Sequence, residues 1–190
     1  MVKRDVLDAI DTWTDWANSS ESNRYDIALL KIWIQFEKYM ADIFVKYATG
    51  NPSEDGYSPV LKLQFIDESH LNPFLRSENR TYVDYPTQIK KLSKHIFETN
   101  PFDVIYSNAD IWNAYDQMGA LRNYVAHESG EAKQKLIEKL FGGDPTKFRE
   151  PNDFLKTKKK NTGKTYYAYY TETIKNAVTL LSDPPRPAEE

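Results

Sequence analysis

Apolar positions along the chain recur mostly at intervals of three and four, which predicts a protein built of helices. Val6, Leu7, Ile10, Trp13 and Ala17 mark a first amphipathic helix that stops in the polar run from residue 18 to residue 23. A longer helix follows, from about Tyr25 to Ala48. Turned at about 100° per residue, its solvent stripe is Lys31, Gln35, Lys38, Asp42 and Lys46, and nearly everything else on it is apolar, the pattern of a central helix. One acid breaks the apolar arc. Glu37 lies about 140° from the middle of the solvent stripe, flanked by Trp33, Ala41 and Phe44, so it is expected to be at least partly buried. Thr49-Gly50-Asn51-Pro52 ends this helix, and the strict alternation from Leu61 to Phe65 predicts a short strand within an irregular insertion over residues 51–86. Further helices are expected over residues 87–98, 108–127, 131–140 and 165–181.

These elements define the fold class as all-α: a helical bundle with a small irregular or β insertion, in one domain over residues 1–182. The proline-rich end, residues 183–190, cannot continue a helix and is read as a disordered tail. A chain of 190 residues can bury a core without disulfides, and it contains no cysteine, which fits a reducing compartment. The first residues lack the apolar centre of a secretory signal, and no stretch approaches the roughly 18 apolar residues of a membrane span. A soluble, cytoplasmic protein without membrane contact is therefore expected. The formal charge of -3 excludes a globally basic nucleic-acid coat, so any contact with RNA or DNA must use a local patch.

Several chemistries drop out on spacing. Thr162-Gly163-Lys164-Thr165 imitates the end of a phosphate-binding loop, but Lys158 stands where that motif needs its first glycine and no strand precedes it. His70, His95 and His127 lack the spacing of a zinc site, and neither a nucleophile elbow nor a dinucleotide glycine fingerprint occurs. No metal or cofactor is called for. What remains lies on the helix that begins at Asn108, whose apolar stripe is Ile111, Ala114, Met118, Leu121 and Val125. Arg122 falls inside that arc, about 40° from Met118, where an unpaired guanidinium is costly, so it needs a carboxylate, a polar cavity or an anion. His127 follows about 140° further round, near the helix end, with Asn123 one turn before it and able to orient the imidazole. With Gly119 leaving space for approach, this set suits proton transfer at a phosphate.

The segment Leu121-Arg122-Asn123-Tyr124-Val125-Ala126-His127-Glu128 resembles the signature of the HEPN superfamily: an arginine and a polar residue, then a histidine after a short gap, on the last core helix of a bundle. The resemblance implies a metal-independent endoribonuclease, often a toxin or defence effector, that works as a two-fold homodimer with both motifs facing one composite site. Carried over, His127 is the general acid and base, Arg122 the ligand of the phosphate and transition state, and Asn123 the positioning residue. The implied products from single-stranded RNA are a 2′,3′-cyclic phosphate and a 5′-hydroxyl. An antitoxin or regulatory protein is the implied partner. Because the superfamily also contains non-catalytic members, the alternative is a module that binds nucleotide, RNA or a partner protein.

Four expectations extend this picture. Glu37 is matched to Arg122 across the two long helices, holding the guanidinium toward the phosphate site. Lys156, Lys158, Lys159, Lys160 and Lys164 form a basic run of the kind that is most often a solvated loop, and its sharper reading is contact with an RNA backbone. Arg122 and His127 cannot readily grip one phosphate from one copy, which favours a symmetric dimer anchored by Trp112 and Tyr124. The C-terminal stripe Tyr167, Tyr170, Ile174, Ala177, Val178 and Leu181 is read as core or dimer packing, with Tyr166 and Tyr169, expected to be exposed, able to stack bases.

Overall fold

The computed structural model describes residues 1–19, 23–75 and 85–185. The expected tail from residue 186 onward, and the part of the insertion from 76 to 84, lie outside the described residues. Among the described residues the protein is all-α, with nine helices and no strand: α1 Lys3–Asn18, α2 Tyr25–Ala48, α3 Glu68–Leu75, α4 Tyr85–Ile96, α5 Asp103–Tyr106, α6 Ala109–His127, α7 Gly130–Phe141, α8 Pro151–Lys156 and α9 Tyr166–Ser182. None of them is long and apolar enough to cross a membrane.

The central helix sits where its composition demands. α2 touches α1, α3, α4, α6, α8 and α9, and it buries Ile32, Trp33, Phe36, Tyr39, Met40, Phe44 and Tyr47 among them. Lys31, Lys38 and Asp42 face solvent. α9 buries its whole predicted stripe within the same chain, so that stripe is core. Tyr47 donates a hydrogen bond to the carbonyl of Leu181 at 2.6 Å, which satisfies a hydroxyl buried between α2 and α9.

Capping residues set several boundaries. The Asn108 side chain accepts from the backbone N–H groups of Asp110 and Ile111, Ser129 from Ala132, and Thr165 from Ala168, each closing the first turn of its helix. Pro151 opens α8 at a position where its missing N–H costs nothing. The Thr162-Gly163-Lys164-Thr165 segment is a reversal, with Gly163 at φ +69°, leading into the cap of α9.

The insertion departs from expectation. Leu61 forms a single bridge to Phe97, the amides of Lys62 and Leu63 both reach the carbonyl of Ile96, and that of Phe65 reaches Ala48. The alternation from 61 to 65 therefore meets helix ends, not a neighbouring strand, and Leu63 is half exposed on the wrong side. The segment is irregular, followed by the unexpected helix α3, which carries Pro73 and buries Leu71 and Leu75.

Candidate active site at the α2–α6 corner

α6 turns Ala114, Met118 and Leu121 into the core, and the next residue, Arg122, emerges at the edge of that arc. Its guanidinium is held from two sides. Nη1 donates to Oδ1 of Asn123 at 2.9 Å, and Nη2 lies 3.7 Å from Oε2 of Glu37 on α2. The side chains of Arg122 and Glu37 are 34% and 30% exposed, so both are partly buried, as Glu37's place on the wheel of α2 predicts. The third nitrogen differs: Nε is buried and has no hydrogen-bond partner among the described residues. An orphaned buried donor is a cost, and a guanidinium held on two edges keeps its remaining capacity for an acceptor.

A crevice of about 10 Å³, room for about one water molecule, lies beside Arg122 and is lined by Asp26, Leu29, Leu121, Val125, Pro151 and Leu155. Asp26 is buried, with both carboxylate oxygens accepting from Arg24 at 3.0 Å. The hydrogen bond and charge of Asp26 raise the Arg24 pKa above the ordinary guanidinium value, with a smaller contribution from the Glu128 carboxylate. From its cap to its middle α2 thus carries Arg24, Asp26 and Glu37, which with Arg122 near the end of α6 make two pairs of opposite charge, with Glu128 at the rim.

His127 is the last residue of α6 and is exposed; among the described residues it has no hydrogen-bond partner. Glu128 follows in the left-handed region at φ 47°, reversing the chain into the Ser129 cap of α7. Arg122 and His127 are about 140° apart around the helix and about 7.5 Å apart along it. Asn123 is a correction to the sequence reading, because its side-chain oxygen is committed to Arg122 and no hydrogen bond joins it to His127. Gly119 is a second one: it faces Trp33, with 3.9 Å between that indole and a built Cβ, and serves packing between α6 and α2.

The lysine run lies elsewhere. Lys156 projects over the ring of Tyr25 at 5.8 Å and Lys159 over Tyr169 at 4.4 Å, Lys164 pairs with Glu172, and Lys158 and Lys160 are exposed. The proposed dimer anchors are half buried in their own chain. Trp112 stacks on Tyr115 with Lys90 at 4.2 Å over its ring, and Tyr124 packs edge-on against Phe148. Burial, then the carboxylates of Glu150 and Glu128, raise the Tyr124 pKa. Among the described residues no group of three or more His, Asp or Glu side chains is placed to hold a metal ion. Compared with protein-family models, with curated proteins and with solved structures, the chain matches none.

Proposed function

We propose that the protein is a HEPN-type, metal-independent endoribonuclease of the cytoplasm, a toxin or defence effector that cuts single-stranded RNA. The observation that carries this reading is the bracing of Arg122 by Glu37 and Asn123, with an orphaned Nε, on the helix that ends in His127. A guanidinium fixed in orientation stabilises charge that develops on a phosphate without first having to reorganise. The imidazole supplies proton transfer. As the 2′-oxygen attacks phosphorus it loses its proton to one histidine, the bond from phosphorus to the 5′-oxygen breaks, and that oxygen takes a proton from a second histidine. The products are a 2′,3′-cyclic phosphate and a 5′-hydroxyl.

Two histidines require two copies, and the separation of Arg122 from His127 points the same way. In a two-fold homodimer the arginine of one chain can face the histidine of the other across one cleft. The small size of the Arg122 crevice in a single chain favours a second reading if no dimer forms, namely a non-catalytic HEPN module that binds nucleotide, RNA or a partner protein. An antitoxin or regulatory protein would bind over the same corner.

The test is incubation of the purified protein with end-labelled single-stranded RNA in EDTA, with light scattering at micromolar concentration. Cleavage by a dimer is expected, reduced about 10²- to 10⁴-fold in His127→Ala and similarly in Arg122→Ala, with melting close to the parent's. Undiminished cleavage by His127→Ala, or cleavage that tracks added divalent metal, overturns the mechanism. Stoichiometric binding without cleavage selects the second reading.

A further inference from the structure

Tyr124, two residues beyond Arg122, begins a series of aromatic contacts that leaves the corner. Its ring meets Phe148 at 5.9 Å, Phe148 meets Phe141 at 5.9 Å, Phe141 meets Phe154 at 5.4 Å, and Phe154 meets Tyr166 at 4.2 Å. These rings come from α6, α7, the connection before α8, α8 and α9. Phe154 is buried and holds α8 in place, which accounts for it as packing. Phe141, Phe148 and Tyr166 are only half buried, and they line an open groove of about 470 Å³ together with Thr146, Lys147 and Arg149. That volume is in the ordinary range for a bound small molecule or a single residue of a polymer.

The charge around the groove runs against the whole chain. Residues 139–164 contain eight lysines and arginines against three acids, in a protein whose formal charge is -3. Lys147 pairs with Asp144 at 3.2 Å, whereas Arg149 is exposed and has no ion pair among the described residues. Lys133 lies 4.1 Å over the Phe148 ring, and Lys159 4.4 Å over that of Tyr169, one residue before the Tyr170 that Tyr166 meets at 5.9 Å. Half-open rings beside Lys147 and Arg149 in one groove, with further lysines on the adjoining turn, match the two parts of a single-stranded nucleic acid, base faces and phosphates, and a duplex would hide the base faces.

We infer that this groove is a track for single-stranded RNA, in which an unpaired base stacks on Phe148 or Tyr166 and the flanking phosphates lie on Arg149, Lys147 and the turn from Lys156 to Lys164. The choice of RNA rests on the ribonuclease reading of the Arg122 corner. The track joins two features which that corner leaves unexplained, the lysine run and the aromatic start of α9.

The experiment uses the full chain and a fluorescein-labelled 2′-O-methyl oligonucleotide, which has no free 2′-hydroxyl and stays intact, with binding read by anisotropy. Phe148→Leu keeps an apolar side chain and removes the ring face; Arg149→Glu alters an exposed charge and carries the test even if the ring variant folds poorly. Each is expected to weaken binding about 5- to 100-fold, with Phe148→Trp restoring it. Parental affinity in both variants, equal affinity for a duplex of the same sequence, or no binding by the parent overturns the track. Cleavage that needs His127 but ignores Phe148 and Arg149 discards the track and keeps the ribonuclease. Groove-dependent binding by a chain that cuts nothing keeps the track and discards the ribonuclease.

Discussion

The α2–α6 corner and the α7–α9 face are neighbours that treat charge in opposite ways. At the corner each cation is answered: Arg24 by both oxygens of Asp26, Arg122 by Glu37 and Asn123, around a crevice that admits about one water. On the face, cations outnumber acids: Lys147 and Lys164 pair with Asp144 and Glu172, while Lys133 and Lys159 lie over rings and Arg149 has no ion pair among the described residues. Answered charges fix the position of one group, because each is held from several directions. Unanswered charges over π faces fix little and collect a polyanion. Substitutions at the corner should therefore change turnover, and substitutions on the face should change affinity.

The largest effect that sharpens this contrast comes from alkali, because α9 has a sealed edge opposite the groove. Burial pushes the Tyr167 pKa up to about 12 and that of Tyr170 well above the ordinary value, and Tyr39 and Tyr47 on α2 are raised in the same way. In the unfolded chain these phenols ionise near pH 10, so between about 10 and 12 the folded state binds more protons. Their stabilisation is complete below pH 10 and is lost as pH rises through the folded values, for Tyr167 by about 3 kcal/mol. Melting temperatures from pH 8 to 12 should fall steeply only above pH 10, with phenolate absorbance rising as helix is lost. Ionisation of all the tyrosines with the helices intact would show that α9 has no sealed edge.

Glu37→Gln is the next largest. With the carboxylate gone, Arg122 keeps only its bond to Asn123, and turnover of RNA is expected to fall about 10-fold with KM unchanged. The melting temperature should hardly move, since a pair this exposed contributes at most about 1 kcal/mol. A rise in KM matching the loss in kcat would erase the division between corner and face. Gly119→Ala is the smallest. A methyl group fits beside Trp33, so relief of glycine's entropic cost inside α6 should add about 0.5–1 kcal/mol to unfolding, measured by urea titration. RNA affinity and turnover should both stay at the parent's values.

Much of the corner was legible in the sequence because helical geometry is regular. A lone acid on the apolar arc of α2 and a lone base on that of α6 had few other places to meet, and they lie 3.7 Å apart. The helix starts expected near residues 108, 131 and 165 lie within about a residue of those observed, where Asn108, Ser129 and Thr165 cap the first turns. The direction of Asn123 was not legible, because a wheel places a residue without choosing its rotamer, and the adjacent guanidinium competes with the imidazole one turn on. The strand expected at 61–65 failed because alternation specifies two faces without supplying a partner strand. The groove was the least legible part. Phe141, Phe148, Phe154 and Tyr166 belong to four short, unrelated segments, and only the docking of α8 brings them to one place.

Apart from the bonds of Arg122 to Asn123 and of Arg24 to Asp26, the Arg122 corner is assembled from segments far apart in sequence. Its acid comes from residue 37, its guanidinium from residue 122, and its outer wall from Pro151 and Leu155, so it closes only after segments more than a hundred residues apart have docked. Contacts of that span form late, since the loop between them must be closed before they return any stabilisation. During synthesis the motif is therefore made before the wall that shapes its surroundings, and a chain interrupted ahead of α8 carries arginine and histidine without the enclosed corner. On the proposed ribonuclease reading, this order separates being translated from being armed.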